Sequence, residues 1–240
     1  MMHGMRMSWL GLAAAAALVV PVGMAQGYDA MSVADGGTIA GTIKVAGTPP
    51  APKTIKTTKD QAQCGAEVPD EALVVGGDRG IKNVVVRITD IAKGKAWDAK
   101  AVLDQKKCHF QPHVTVAQAG TEVEILNSDG ILHNIHTYST ANPSINKAQP
   151  KFKPKMTEKF AKAETIKFTC DAHSWMVGWL VVSEHPYVAV TDEKGVFKLT
   201  DVPPGDYKVE IWHETLGNQE KTVTVAAKGE AKLDAEFAGK

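Results

Sequence analysis

In TIKFTCDAHSWMVGWLVV, residues 165–182, Cys170, His173 and Met176 follow one another at three-residue intervals. A thiol, an imidazole and a thioether are electron-pair donors of graded softness, and a short loop brings all three toward one point. Another donor lies upstream in NSDGILHNIHTYS, where His133 and Asn134 follow a glycine-containing turn. One thiolate, two imidazoles and a weak thioether make the trigonal site used by electron-transfer copper. Sulfur suits Cu(I), imidazole suits Cu(II) as well, and a rigid frame keeps one geometry for both, so little moves when an electron arrives.

Taken singly, the residues have plainer readings. Cys170 could be half of a disulfide, which would leave the nearby His and Met accidental; Met176 alone reads as core filler and His173 alone as a polar loop residue. Zinc fits the set less well, because a thioether is not among its usual ligands. A c-type haem would need C-x-x-C-H, which the sequence lacks.

The elements that must position these donors are strands. Apolar residues alternate in KNVVVRITDI (Val84, Val86, Ile88), HVTVAQAGTEVEIL (Val114, Val116, Val123, Ile125), ETIKFTC (Ile166, Phe168, Cys170), GVFKLTDV and YKVEIWH. Turn-forming stretches such as AGTPPAP, NSDG and VPPGD separate them, the punctuation of an all-β chain. Only residues 59–66 suggest a short helical turn. Period two puts Cys170 on the inward face with Ile166 and Phe168, so residues 171–177 become a hairpin connection. His136, three positions after His133, falls on the opposite face of its strand. His109 and His113 flank the start of a strand pair as surface or interface residues, and the spacing lends no support to a second copper site at His109, His113 or His136. AQPKFKPKMTEKF, with Pro150 and Pro154, reads as a solvated loop leading into a strand; the alternative is a docking patch for an acidic partner.

At these residues the chain resembles the cupredoxins, and the spacing C-x-x-H-x-x-M in CDAHSWM is similar to the amicyanin and plastocyanin type. NSDGILHN resembles the segment that carries the first histidine ligand, and FQPHVTVAQAGTEVEILN the strand pair before it. The resemblance spans roughly residues 109–184. It implies a Greek-key sandwich over residues 97–184 and one type 1 copper ion on His133, Cys170, His173 and Met176, with Asn134 steadying the cysteine loop by hydrogen bonds. It also implies transfer of single electrons between redox protein partners. Copper binding for storage or delivery, or an accessory role beside a periplasmic oxidoreductase, is the alternative.

The flanks carry a second resemblance. DEKGVFKLTDVPPGDYKVEIWHE, residues 192–214, is similar to the second half of carboxypeptidase regulatory-like domains, which are transthyretin-like β-sandwiches. Their first half has its counterpart in GTIAGTIKVAG and IKNVVVRI. The expected architecture is thus all-β: a split sandwich from residues 37–92 and 186–238, with the cupredoxin of residues 97–184 inserted in it or flanked by it. No H-E-x-x-H, H-x-x-E or recognisable Ser/His/Asp spacing occurs, so no enzyme is expected.

Residues 1–25 have the layout of a secretory signal peptide: Arg6, an apolar run from Trp9 to Val20, then Gly23 and Ala25, with cleavage after Ala25. The apolar run is shorter than the roughly 20 residues that span a bilayer. The expected location is the periplasm or outside the cell, with no membrane association after cleavage. The 27 Lys and Arg balance 27 Asp and Glu, and loss of Arg6 leaves the mature chain one unit negative. Such a charge gives no support to a nucleic-acid partner. Three cysteines in an oxidising compartment leave one over. If copper holds Cys170, then Cys64 and Cys108 remain; a disulfide between them is expected, two buried free thiols being the alternative.

Overall fold

The alternation read from the sequence builds two β-sandwiches in the computed structural model, which describes residue 1 and residues 27–239. The signal peptide expected over residues 1–25 thus lies, but for its first residue, outside the described residues. Among the described residues no helix is long and apolar enough to cross a membrane.

The first sandwich carries the donor residues. One sheet runs in the order Lys155–Lys159, Glu122–Asn127, Ala101–Lys106, His109–Gln111. The other runs Asn146–Gln149, His133–Tyr138, Glu164–Thr169, Val177–Ser183, Val114–Gln118. Ala101–Lys106 pairs in parallel with Glu122–Asn127, and Val177–Ser183 with Val114–Gln118, while the remaining pairs are antiparallel. Inward residues of both sheets, among them Leu103, Phe110, Ile125, Ile135, Ile166, Phe168 and Leu180, share one core. Phe110 meets Phe168 edge-on with ring centres 4.7 Å apart. Each such side chain, once buried, contributes about 1.5–3 kcal/mol.

The second sandwich takes strands from both sides of the first in sequence. One sheet orders Val188–Val190, Val85–Ile88, Gly205–His213, Gly217–Val225; the other orders Val196–Val202, Gly37–Val45, Glu230–Lys232, with Ala235–Phe237 also on Gly37–Val45. Ile39, Ile43, Val86 and Ile88 from the early segment close one core with Phe197, Val209, Ile211 and Phe237 from the late one. Glycine at position 41 has a steric reason: a Cβ there would sit 1.9 Å from the Leu233 carbonyl oxygen.

Within residues 37–92, the stretch 54–69 leaves the second sandwich. Its strands Thr54–Lys56 and Glu67–Pro69 pair with each other around the short helix Gln61–Cys64. Cys64 and Val68 join the first core, Ile55 packs against it, and a Cys64–Cys108 disulfide clamps this strap in place. The two sandwiches meet through Val85, Val114 and Val181, with the Trp179 and Trp212 rings edge-on at 4.9 Å.

Candidate metal centre

Two turns of the first sandwich bring the donors together. After Glu122–Asn127 the chain reverses through Gly130, whose φ of +66° is the left-handed conformation that glycine adopts without strain. Asn127 Nδ2 braces this turn by donating to the carbonyls of Ile131 and Gln149, both at 2.8 Å. His133 then opens the next strand, completely buried. On the other side Glu164–Thr169 ends and residues 170–176 form a tight loop, closed by Met176 N–H donating to His173 O at 2.9 Å and Cys170 N–H to Met176 O at 3.2 Å. Asn134 ties the two turns: its Oδ1 accepts from the Asp171 and Ala172 N–H groups, and its own N–H donates to Cys170 Sγ at 3.4 Å.

His133 Nδ1, His173 Nδ1 and Cys170 Sγ form a buried triangle with edges of 3.0, 3.8 and 3.9 Å. The far nitrogens are committed elsewhere. His133 Nε2 donates to Asp129 Oδ2 at 2.9 Å and His173 Nε2 to Asp60 Oδ2 at 2.8 Å. With those protons on Nε2, both Nδ1 atoms present lone pairs to each other and to sulfur, an arrangement that only a proton or a cation between them makes favourable. A point equidistant from the three atoms lies about 2.1 Å from each, the length of a metal–imidazole bond and about 0.2 Å short of a metal–thiolate bond. The donor set therefore fits a single ion.

The surroundings act on the two imidazoles in opposite directions. Burial works against ionisation of His133, but the Asp129 carboxylate and Cys170 outweigh it and hold the imidazole up to about 9. Burial and the neighbouring His133 push His173 down, against the pull of Asp60. Asp129 is itself buried, which would raise it, yet bonds from His133 and the Cys108 and Lys107 N–H groups hold it low.

No protein-family model matches the chain, and no curated protein matches it. Solved structures similar to part of it include a mutant of amicyanin in the Cu(I) form, at 21% identity over 37% of this chain and 86% of that one, with a TM-score of 0.32. A purple cupredoxin from Nitrosopumilus maritimus is 23% identical over 36% of this chain and 100% of that one, with a TM-score of 0.30. A Cu-containing nitrite reductase from Thermus scotoductus SA-01 is 17% identical over 42% of this chain and 26% of that one, at a TM-score of 0.33.

The other residues singled out from sequence fall into place around the triangle. Met176 is buried in the same core as Cys170. His136 points away, with Nδ1 3.0 Å from Asp171 Oδ1 and its ring stacked on Tyr138. His109 and His113 lie at the junction of the two sandwiches, against Glu71 and Glu214. In the lysine-rich loop Phe152 is largely exposed. Cys108, Asp129 and His133 also cluster, but Cys108 is spent in the disulfide and Asp129 already receives the His133 proton.

Two carboxylates at the centre escaped the sequence reading. Asp129 has a local signal, an aspartate in the NSDG turn four residues before His133. Asp60 has none. It stands at the N-cap position of Gln61–Cys64 with a left-handed φ of 51°, yet its side chain makes no capping bond. An N-cap aspartate usually serves its own helix; this one serves His173 instead.

Proposed function

We propose that this chain binds one type 1 copper ion through His133, Cys170, His173 and Met176 and passes single electrons between redox protein partners in the periplasm or outside the cell. One observation carries the reading: two buried Nδ1 atoms and a buried cysteine sulfur, with Nε2 of each imidazole anchored to a carboxylate.

Copper, when bound, supplies a one-electron couple. The chain supplies the rest. Cys170 offers the strongest donor, and the Asn134 N–H on its sulfur moderates the charge there. Asp129 and Asp60 fix both rings in one tautomer and one orientation, the usual service of carboxylates behind metal-bound histidines. Met176 would add a weak thioether contact to copper, which tunes potential rather than creating the centre. Both loops spring from a packed β frame, so the donors keep their places whichever charge the centre carries. Storage or delivery is less well served, because His133 and His173 are fully buried and an exchanging ion needs an open path. The second sandwich, which resembles carboxypeptidase regulatory-like domains, is assigned a scaffold role.

The test is to add Cu(II) to the purified mature protein and record visible and EPR spectra. An intense thiolate-to-copper band with narrow hyperfine splitting is expected. A weak, tetragonal spectrum would sink the assignment.

A further inference from the structure

We propose that a second site, for a divalent transition-metal ion of the zinc class, lies at the junction of the two sandwiches on Glu71, His109 and His113, with Glu214 as positioning residue. A cavity of about 190 Å³ opens between these side chains, and Trp175 of the metal loop forms part of its wall. Its residues come from three parts of the chain. Glu71 follows the strap, His109 and His113 bracket the cis Gln111–Pro112 bond, and Glu214 follows strand Gly205–His213.

The decisive group is His113. Its side chain is 3% exposed, and its Nε2 is hydrogen-bonded to Glu214 Oε1. The carboxylate fixes the ring proton on Nε2, which leaves Nδ1 a bare lone pair. That Nδ1 is buried and has no hydrogen-bond partner among the described residues. Leaving a buried polar atom unsatisfied costs roughly 1–3 kcal/mol, so such an atom calls for an explanation. What it faces is Glu71 Oε2, 3.9 Å away, and that oxygen is also 3.1 Å from His109 Nδ1.

A lone pair opposite a carboxylate oxygen is an unfavourable pair unless a proton or a metal cation lies between, and at 3.9 Å the two are too far apart to share a proton in a hydrogen bond. Two donors each about 2.0–2.1 Å from one tetrahedrally held ion stand about 3.3–3.4 Å apart, so Glu71 and His113, at 3.9 Å, would close on a shared ion by about half an ångström. Burial raises Glu71, but the hydrogen bond with His109 opposes it, and the net direction is downward. His109, on the open side, is not within 4.8 Å of both partners at once. To join the set its ring, 16% exposed, would turn toward His113. The Glu214–His113 pair is the arrangement that backs metal-bound imidazoles and raises their basicity. Two imidazoles and a carboxylate, with no sulfur, select zinc-like ions rather than Cu(I), and the cavity leaves room for a water as fourth ligand.

Zinc alone is the probe, with equilibrium dialysis and metal analysis as the readout. In a Cys170→Ala/His173→Ala background, which removes donors from the first centre, one zinc per chain is expected. Adding His113→Ala or Glu71→Gln should weaken its binding at least 100-fold. No bound zinc in that background, or zinc held equally after both further substitutions, would overturn the proposal. A second measurement guards against misfolding: Co(II) added to copper-loaded wild-type protein should give new d–d absorption that Glu71→Gln abolishes, and its absence from wild type counts against the site.

Discussion

Asp60 and His173, 113 residues apart in sequence, are joined by a 2.8 Å hydrogen bond from imidazole Nε2 to carboxylate. A negative group there makes the imidazole a better donor and favours Cu(II) over Cu(I). Asp60→Asn is expected to lower Cu(II) affinity about 10- to 100-fold, the usual cost of losing a partner behind a metal ligand. If Cu(I) affinity is unchanged, the potential rises about 59 mV for each tenfold loss. Potentiometry on both proteins checks this; an unmoved or lowered potential would show that Asp60 does not act through His173.

Cys170→Ser should abolish the thiolate band while the protein still melts cooperatively, since a hydroxyl is nearly isosteric but a poor soft ligand. Met176→Leu should keep the colour and move the potential. Wild-type absorption persisting in Cys170→Ser would be incompatible with copper at this site.

The Cys64–Cys108 disulfide closes a sequence separation of 44 residues, and removing it by double serine substitution should cost about 4 kcal/mol on the chain-entropy model. Because the same crosslink holds the strap that carries Asp60, the potential should shift in the direction of Asp60→Asn. Chemical denaturation and potentiometry on one sample separate the two effects. A fall in stability without a shift would mean that the strap stays docked unaided.

His213 is buried in the second sandwich and its Nδ1 accepts from Thr215 N–H. Burial, chiefly, with a smaller push from His113 against the pull of Glu214, brings its imidazole down to about 4. Between that value and the unfolded one near 6.5 the unfolded chain binds the extra proton, so stability rises with pH. The contribution is complete above about 6.5 and lost as pH falls toward 4, a change on the order of 3 kcal/mol. His213→Asn keeps an acceptor for Thr215 and should flatten that part of the stability profile; equal slopes in both proteins would refute the assignment.

Excising residues 97–184 together with the strap 54–69, each replaced by a short Gly/Ser linker, should leave the second sandwich folded, with a cooperative thermal transition and no copper binding. Excising 97–184 alone should fare worse, because Ile55, Val68 and Cys64 then lose the core they pack on. Circular dichroism melts of the two deletions provide the comparison.

What the sequence made legible is what lies close together along it. Cys170, His173 and Met176 share one loop, Asn134 adjoins His133, and period-two alternation marks the strands that aim them. The Cys64–Cys108 pairing followed by elimination. Asp129 was readable in principle, since an aspartate in a tight turn before a histidine strand is close enough to reach back. Asp60 was not. Its partner is set by the excursion of residues 54–69 across the first core, and nothing in those short polar strands distinguishes a strap from a loop of the second sandwich. The role of His113 was equally hidden, because Glu71 and Glu214 reach it from distant parts of the chain.

The interleaving of the two cores also sets an order in time. By Ser183 every strand of the first sandwich exists, and so does the strap that covers it. The second core, in contrast, holds Ile39, Ile43, Val86 and Ile88 waiting for Phe197, Val209, Ile211 and Phe237. A chain that emerges from its N-terminus can form the loops that carry His133 and Cys170 first and latch its outer sandwich last. Until then the early strands travel as exposed apolar edges, the condition in which a chain depends most on being chaperoned.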